Sequence, residues 1–200
     1  MNPAQLTRRR FLQTGTTALA LTAATGTRSI LAAAPATAPK KRDLKKALML
    51  NTFPGKALPL MQQFEMLKQA GWDGVEPRSH LNQDEVLRAR DATGLGIPSV
   101  TCGTHSRMLA QPNPTAQKAG VDGIQQALRD ARRYGASSIL VVPGLVNESI
   151  SYAQNYERTQ AGIRACLPLA EELGVTMAIE NVWNNFLLSP MEAARYVDEF

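Results

Sequence analysis

A parallel α/β fold, and within that class a (β/α)8 barrel, is what this sequence predicts, on three observations. Helical stretches end in Gly and run straight into a mostly apolar strand, as in QAGWDGVE, ATGLGIPSV, RYGASSILVV and EELGVTMAIE. Strict alternation of this kind favours parallel strands joined by helical crossovers. The strands are near-continuous apolar runs, the pattern expected of burial on both faces. Finally, polar residues collect at strand ends: Asn51, Glu76, Thr101 with His105 beyond it, and Glu180. A barrel brings such ends to one rim, where its active sites lie. A doubly wound sheet that binds nucleotides would instead carry a glycine-rich phosphate loop after its first strand. That turn reads NTFPGKALP, with neither GxGxxG nor GxxxxGK[ST].

The elements follow in order. Ala47 to Asn51 is a short apolar run and the first strand. Ala57 to Ala70 shows helical spacing in Leu60, Phe64 and Leu67, and Gly71 stops it. Gly74-Val75-Glu76 is a second strand. Asn82 to Thr93 reads as a helix, with Asn82 as N-cap and Glu85 three positions on. Gly94 and Gly96 close it before the third strand, Ile97 to Thr101. A long loop through Pro112 and Pro114 leads to a helix from Thr115 to Tyr134, and the β-branched run Ser138 to Val142 is strand four. Tyr152 to Leu173 is helical, but Pro168 removes a donor and is expected to kink or split it. Val175 to Ile179 is strand five. Ser189-Pro190-Met191-Glu192 is a capping box that opens a fifth helix. Five strand–helix units are visible where eight close a barrel, so the sequence predicts part of a longer barrel, an apparently truncated one.

Length and charge narrow the function. The chain has 200 residues, 44% of them hydrophobic, and a net charge of +5, which suits one globular domain. Of its 22 basic residues, Arg8, Arg9, Arg10 and Arg28 lie in the first 38 positions, which hold no acid; the other 18 face 17 acidic residues. A nucleic-acid partner needs a basic stripe on the folded surface, and that charge is missing. The segment Thr7-Arg8-Arg9-Arg10-Phe11-Leu12-Gln13, then a Thr- and Ala-rich stretch with small residues near Ala34 and Ala38, reads as a twin-arginine export signal over residues 1–38. A linker follows at 39–46 and the barrel domain at 47–200. The expected location is periplasmic, with no stable membrane span, because the apolar run is short and broken. Cys102 and Cys166, the only cysteines, are expected to be two buried free thiols.

Glu180 is the strongest chemical candidate. An acid directly after a buried strand is costly unless its charge is compensated. A divalent metal does this, and so does a Lys or Arg on a neighbouring strand. His105 lies in CGTHSRM just past strand three, as a rim residue or a surface one. Glu76 ends strand two, where it either bonds a polar ligand or caps a loop. Trp183 and Phe186 either floor a sugar site or cover the rim of the core, and Asn181, Asn184 and Asn185 add donors and acceptors. No Ser/His/Asp order is convincing with two histidines, and HExxH is absent.

From Ala47 to Phe200 the chain resembles the sugar isomerase/epimerase family with the xylose isomerase-like TIM barrel, also called the AP endonuclease family 2 fold. The motifs that carry it are GWDGVEP, SVTCGTH, GASSILVVPG and AIENVWNNFLLSP. The resemblance implies one divalent metal, Mn, Mg or Zn, and a sugar or keto-sugar substrate that loses the proton next to its carbonyl, giving an enediolate. It casts Glu180 as metal ligand and base and His105 as a residue near the substrate, while Glu76 and Trp183 join it as substrate-binding candidates on the reading of the residues alone. It places the remaining ligands on later strands. Phe186 stands where ketohexose 3-epimerases of this family carry a substrate-binding Glu, which argues against that specificity.

The leading expectation is therefore a metal-dependent sugar isomerase or epimerase in a full-length parent, with these five units alone inactive. A keto-sugar lyase using the same enolisation, and a non-catalytic sugar-binding barrel, are the alternatives. A DNA-repair phosphodiesterase on the same fold needs a His-rich zinc cluster and a basic face, which two histidines and a near-neutral chain oppose. A homo-oligomer is compatible with the sequence.

Overall fold

A computed structural model describes residues 43–103 and 105–200; the predicted export signal and the first part of the linker lie outside them. Residues 44–200 form one unit. Its strands are β1 (Ala47–Met49), β2 (Gly74–Glu76), β3 (Ser99–Thr101), β4 (Ser138–Val141) and β5 (Thr176–Ile179). Its helices are α1 (Leu60–Gln69), α2 (Gln83–Thr93), α3 (His105–Met108), α4 (Pro114–Tyr134), α5 (Tyr152–Arg164), α6 (Leu167–Leu173) and α7 (Pro190–Asp198). Every strand pair is parallel, Met49 facing Glu76 in one sheet and Thr101, Leu140 and Ala178 aligned in the other. This is the predicted βα alternation, strand for strand.

The five strands divide into a β1–β2 pair and a β3–β4–β5 sheet, and proline explains the division. The Val75 N–H donates to Gly96 O and the Gly96 N–H to Asp73 O, both at 2.9 Å. A parallel ladder would continue through the nitrogens of Pro98 and Pro77, and proline has no N–H. Bonding resumes one residue out of step, with the Thr101 N–H on Pro77 O and the Ser79 N–H on Thr101 O, both at 2.9 Å. Gly74 faces Gly96 and Arg78 faces Thr101. The β3 side thus carries one extra residue, a bulge opposite Glu76 and Pro77.

Boundaries shift from the sequence reading for local reasons. The first helix starts at Leu60, not Ala57, because Pro59 is its N-cap and disfavours helical backbone at Leu58. Pro168 splits the predicted long helix into α5 and α6, sitting in the first turn of the second. The loop after β3 holds the short helix α3, which nothing in its spacing announced. Helices α2, α4 and α6 end on Gly94, Gly135 and Gly174 in the left-handed region. The capping box of α7 is made in full, with the Glu192 N–H on Ser189 Oγ at 3.2 Å and the Ser189 N–H on Glu192 Oε2 at 3.1 Å.

Alternation along the strands sorts side chains into two faces. Val75, Val100, Ile139 and Val141 point outward and are wholly buried under the helices, against Phe64, Val86, Ile124, Leu128 and Ile163. The opposite, concave face is not covered to the same degree. Thr176 and Ala178 of β5 are exposed, so the expectation of burial on both faces fails for that strand. Apolar sequence there reflects a half-covered wall. Cys102 and Cys166 are buried free thiols, as expected.

Candidate active site

Two carboxylates end up on the concave face. Glu76 pairs with Met49, and Glu180 lies one pleat beyond Ala178 with its N–H on Val141 O at 3.0 Å. Both acids are half-buried. Burial raises the Glu76 pKa, and the charge of Glu180 raises it further. Each acid therefore lies in the field of the other, across the division between the sheets. The Thr101 hydroxyl, at the end of β3 on the same face, is buried with no hydrogen-bond partner among the described residues.

The segment after Glu180 separates its polar and aromatic residues sharply. Phe186 is fully buried, with Tyr152 at 4.8 Å, Tyr196 at 5.4 Å and Tyr156 at 6.0 Å between ring centroids. Trp183 is fully exposed. Of the two aromatics read as sugar floor or core cover, Phe186 is core, and Trp183 alone is open to a ligand. Asn184 is also fully buried, its amide spent on Pro143 O and Gly144 O. Asn181 and Asn185 remain exposed.

His105 lies in a second cluster. Its ring stacks on His80 at 4.2 Å and 14°, and it packs so tightly on α4 that a Cβ on Gly123 would overlap it. The His80 backbone, at φ 66°, aims its N–H at Asp130 Oδ2, 2.9 Å away. Asp130 is fully buried in α4 and accepts further bonds from Gln83 Nε2 at 2.6 Å and Gln126 Nε2 at 2.8 Å. Three donors satisfy this carboxylate; His80 ties the loop after β2 to α4, Gln83 ties the start of α2 to it, and Gln126 belongs to α4 itself. Burial, and then the His105 charge, lower the His80 pKa, against a smaller opposing pull from Asp130. The structure thus joins Glu76 to Glu180 and His105 to His80. Sequence reasoning missed Asp130, which reads as one more acid on a polar helix face.

The family described as xylose isomerase-like TIM barrel matches residues 64–200. The chain belongs to this family. A 2-epi-5-epi-valiolone 7-phosphate 2-epimerase from Actinoplanes sp. (strain ATCC 31044 / CBS 674.73 / SE50/110) is 33% identical over 85 residues, 42% of this chain and 30% of that protein. The apo 3-keto-D-glucoside 4-epimerase from E. coli is similar in structure, with a TM-score of 0.63 and 20% identity over 78% of this chain and 64% of that one. A xylose isomerase-like TIM barrel protein from Mycobacterium smegmatis in complex with magnesium gives a TM-score of 0.61 and 14% identity, over 78% of this chain and 60% of that one. At these identities the structural likeness is one of fold. The chain spans less than two thirds of the length of each of these relatives.

Within a xylose isomerase-like barrel, the donors of the concave face fit a hard divalent cation in kind. Glu76 and Glu180 are oxygen ligands whose mutual repulsion a cation would relieve, and the unpartnered Thr101 hydroxyl adds a neutral oxygen on the same face. The set is partial: among the described residues no group of three or more His, Cys, Asp or Glu is placed to hold a metal. No helix among them is long and apolar enough to cross a membrane.

Proposed function

We propose that the chain carries the proton-abstracting side of a metal-dependent sugar isomerase or epimerase. The observation behind this reading is the pair of half-buried acids, Glu76 and Glu180, that share the concave face, with burial and then the Glu180 charge raising the Glu76 pKa. The epimerases among its relatives support the reaction class. Glu180 takes the proton from the carbon next to a keto-sugar carbonyl, leaving an enediolate, and is the residue of this chain that would hold the metal. The metal, when bound, supplies positive charge beside the carbonyl and hydroxyl oxygens. Glu76 hydrogen-bonds a polar group of the ligand, and exposed Trp183 offers a flat apolar face to the C–H side of a sugar ring. Mn, Mg and Zn all suit these ligands, and export by the twin-arginine route to the periplasm favours a free keto-sugar over a phosphorylated one.

Solvent deuterium exchange tests this directly. Produced with all eight strand–helix units of the barrel and loaded with Mn, the protein is incubated in D2O with a panel of keto-sugars, and exchange at the carbon next to the carbonyl is followed by NMR. Glu180→Gln is expected to slow exchange by about 10²–10⁴-fold, the usual contribution of a general base. It also removes one of the two causes that raise Glu76, so the Glu76 pKa falls. Absence of exchange across the panel in the unaltered protein sinks the reading.

A further inference from the structure

We propose that Asn184 and Asn155 are positioning residues that fix the aim of Glu180 by clamping Pro143-Gly144; the inference rests on Glu180 acting as the base. Both asparagines are fully buried. Asn155, on α5, donates from Nδ2 to Pro143 O at 3.2 Å. Asn184, four residues after Glu180, donates from Nδ2 to the same carbonyl and to Gly144 O, both at 3.4 Å. Two amides from different elements thus hold one dipeptide, which begins two residues past the end of β4.

The clamp reaches Glu180 through short lengths of chain. Asn184 Oδ1 accepts the Val182 N–H at 3.3 Å, and the Asn184 carbonyl accepts the Val146 N–H at 3.0 Å. Asn185 Nδ2 adds a bond to Val146 O at 3.2 Å. Glu180 itself is tied to Val141 O. The chain is therefore fastened to the β4 side at 180 and again at 184, with three residues between. Gly144 is required for two independent reasons: its φ is 67°, and Asn155 Oδ1 fills the space that a Cβ would occupy.

Packing alone does not account for this arrangement. An apolar side chain fills such a volume without burying amide groups, and Asn155 Oδ1 has no hydrogen-bond partner among the described residues. Leaving a polar atom buried and unpaired is a net cost to the fold. What amides add is direction, because a donor holds a carbonyl at one angle and distance. A base must lie within about 0.5 Å of its productive position, and an error of about 1 Å can cost 10²-fold in rate.

The test compares Asn184→Ala, Asn184→Asp and Asn155→Ala in the full chain. Each is measured by thermal melting, by amide hydrogen exchange, and by kcat and KM on whichever keto-sugar the unaltered protein enolises. Expected are faster amide exchange confined to residues 141–147 and 180–187, and kcat lower by roughly 10–100-fold with KM little changed. Asn184→Asp keeps the size and loses the donor, so it should behave like Asn184→Ala. Wild-type behaviour of Asn184→Asp overturns the role given to the donor. Loss of protection everywhere, with kcat falling only as the protein unfolds, shows a merely structural residue and overturns the proposal. Should Asn184→Ala not fold, Asn155→Ala loosens the same carbonyl from the helix side and decides by the same readouts. A wild-type protein that enolises nothing refutes the functional reading. The clamp then stands or falls on the amide exchange of 180–187 alone.

Discussion

Replacing Phe186 and Trp183 separately by Ala should give opposite results, although the two lie three residues apart in one loop. Phe186 is fully buried at the centre of Tyr152, Tyr156 and Tyr196. Truncating a buried Phe to Ala costs about 3–5 kcal/mol in transfer and cavity terms. Each lost aromatic pair adds up to about 0.5–1.5 kcal/mol, so the upper half of that range is expected. Trp183 is fully exposed, and its removal belongs with surface changes of about ±0.5 kcal/mol. Urea denaturation followed by far-UV circular dichroism reads both. With an m-value of about 2 kcal/mol/M, Phe186→Ala lowers the midpoint by roughly 2–2.5 M and Trp183→Ala leaves it nearly in place. A Phe186→Ala loss below about 1 kcal/mol, or equal losses in the two variants, would refute the division of this loop into core and surface.

Two further outcomes follow from the other cluster and the thiols. The His80 pKa is lowered in the fold, so neutral His80 is favoured there; its contribution is present above the ordinary histidine pKa and is lost as pH falls through the folded value. Denaturation midpoints should decline on acidification from neutral pH, and His80→Asn, which tolerates the left-handed backbone, should flatten that slope; an unchanged slope removes His80 as the cause. Burial pushes the Cys102 thiol up to about 12 and the Cys166 thiol to about 11. Neither should react with a thiol-specific reagent in the native protein at neutral pH, and both should react in denaturant; rapid native labelling would contradict the buried placement.

The order of elements was legible because its signals are local and repeated. Apolar runs, capping residues such as Asn82 and Ser189, and terminal glycines each act within a few residues, and Pro168 splits its helix as a missing donor requires. Glu180 was legible as an acid at a strand end. Its partnership with Glu76 depends on register across strands far apart in sequence, which no local spacing encodes. Trp183 and Phe186 are chemically alike on paper. Left-handed backbone at Asn185 and Leu187, φ 53° and 55°, bends the loop around Phe186. The roles of Asn155, Asn184 and Asp130 rest on long-range hydrogen bonds, which leave no periodic trace. His105 was rightly placed past β3, but its stacking on His80 follows from a left-handed turn at His80 that the sequence does not signal.

The missing N–H groups of Pro77 and Pro98 bear on chemistry as well as architecture. Glu76 stands on one bank of the gap they leave and Glu180 on the other, so the interval between the acids is a gauge length set across a joint, not along a continuous wall. Exchanging Pro98 for a residue that can donate would supply one of the two missing donors, while Pro77 still lacks its own. The spacing of the acids, and with it their electrostatic conversation, would then be retuned without either acid being touched.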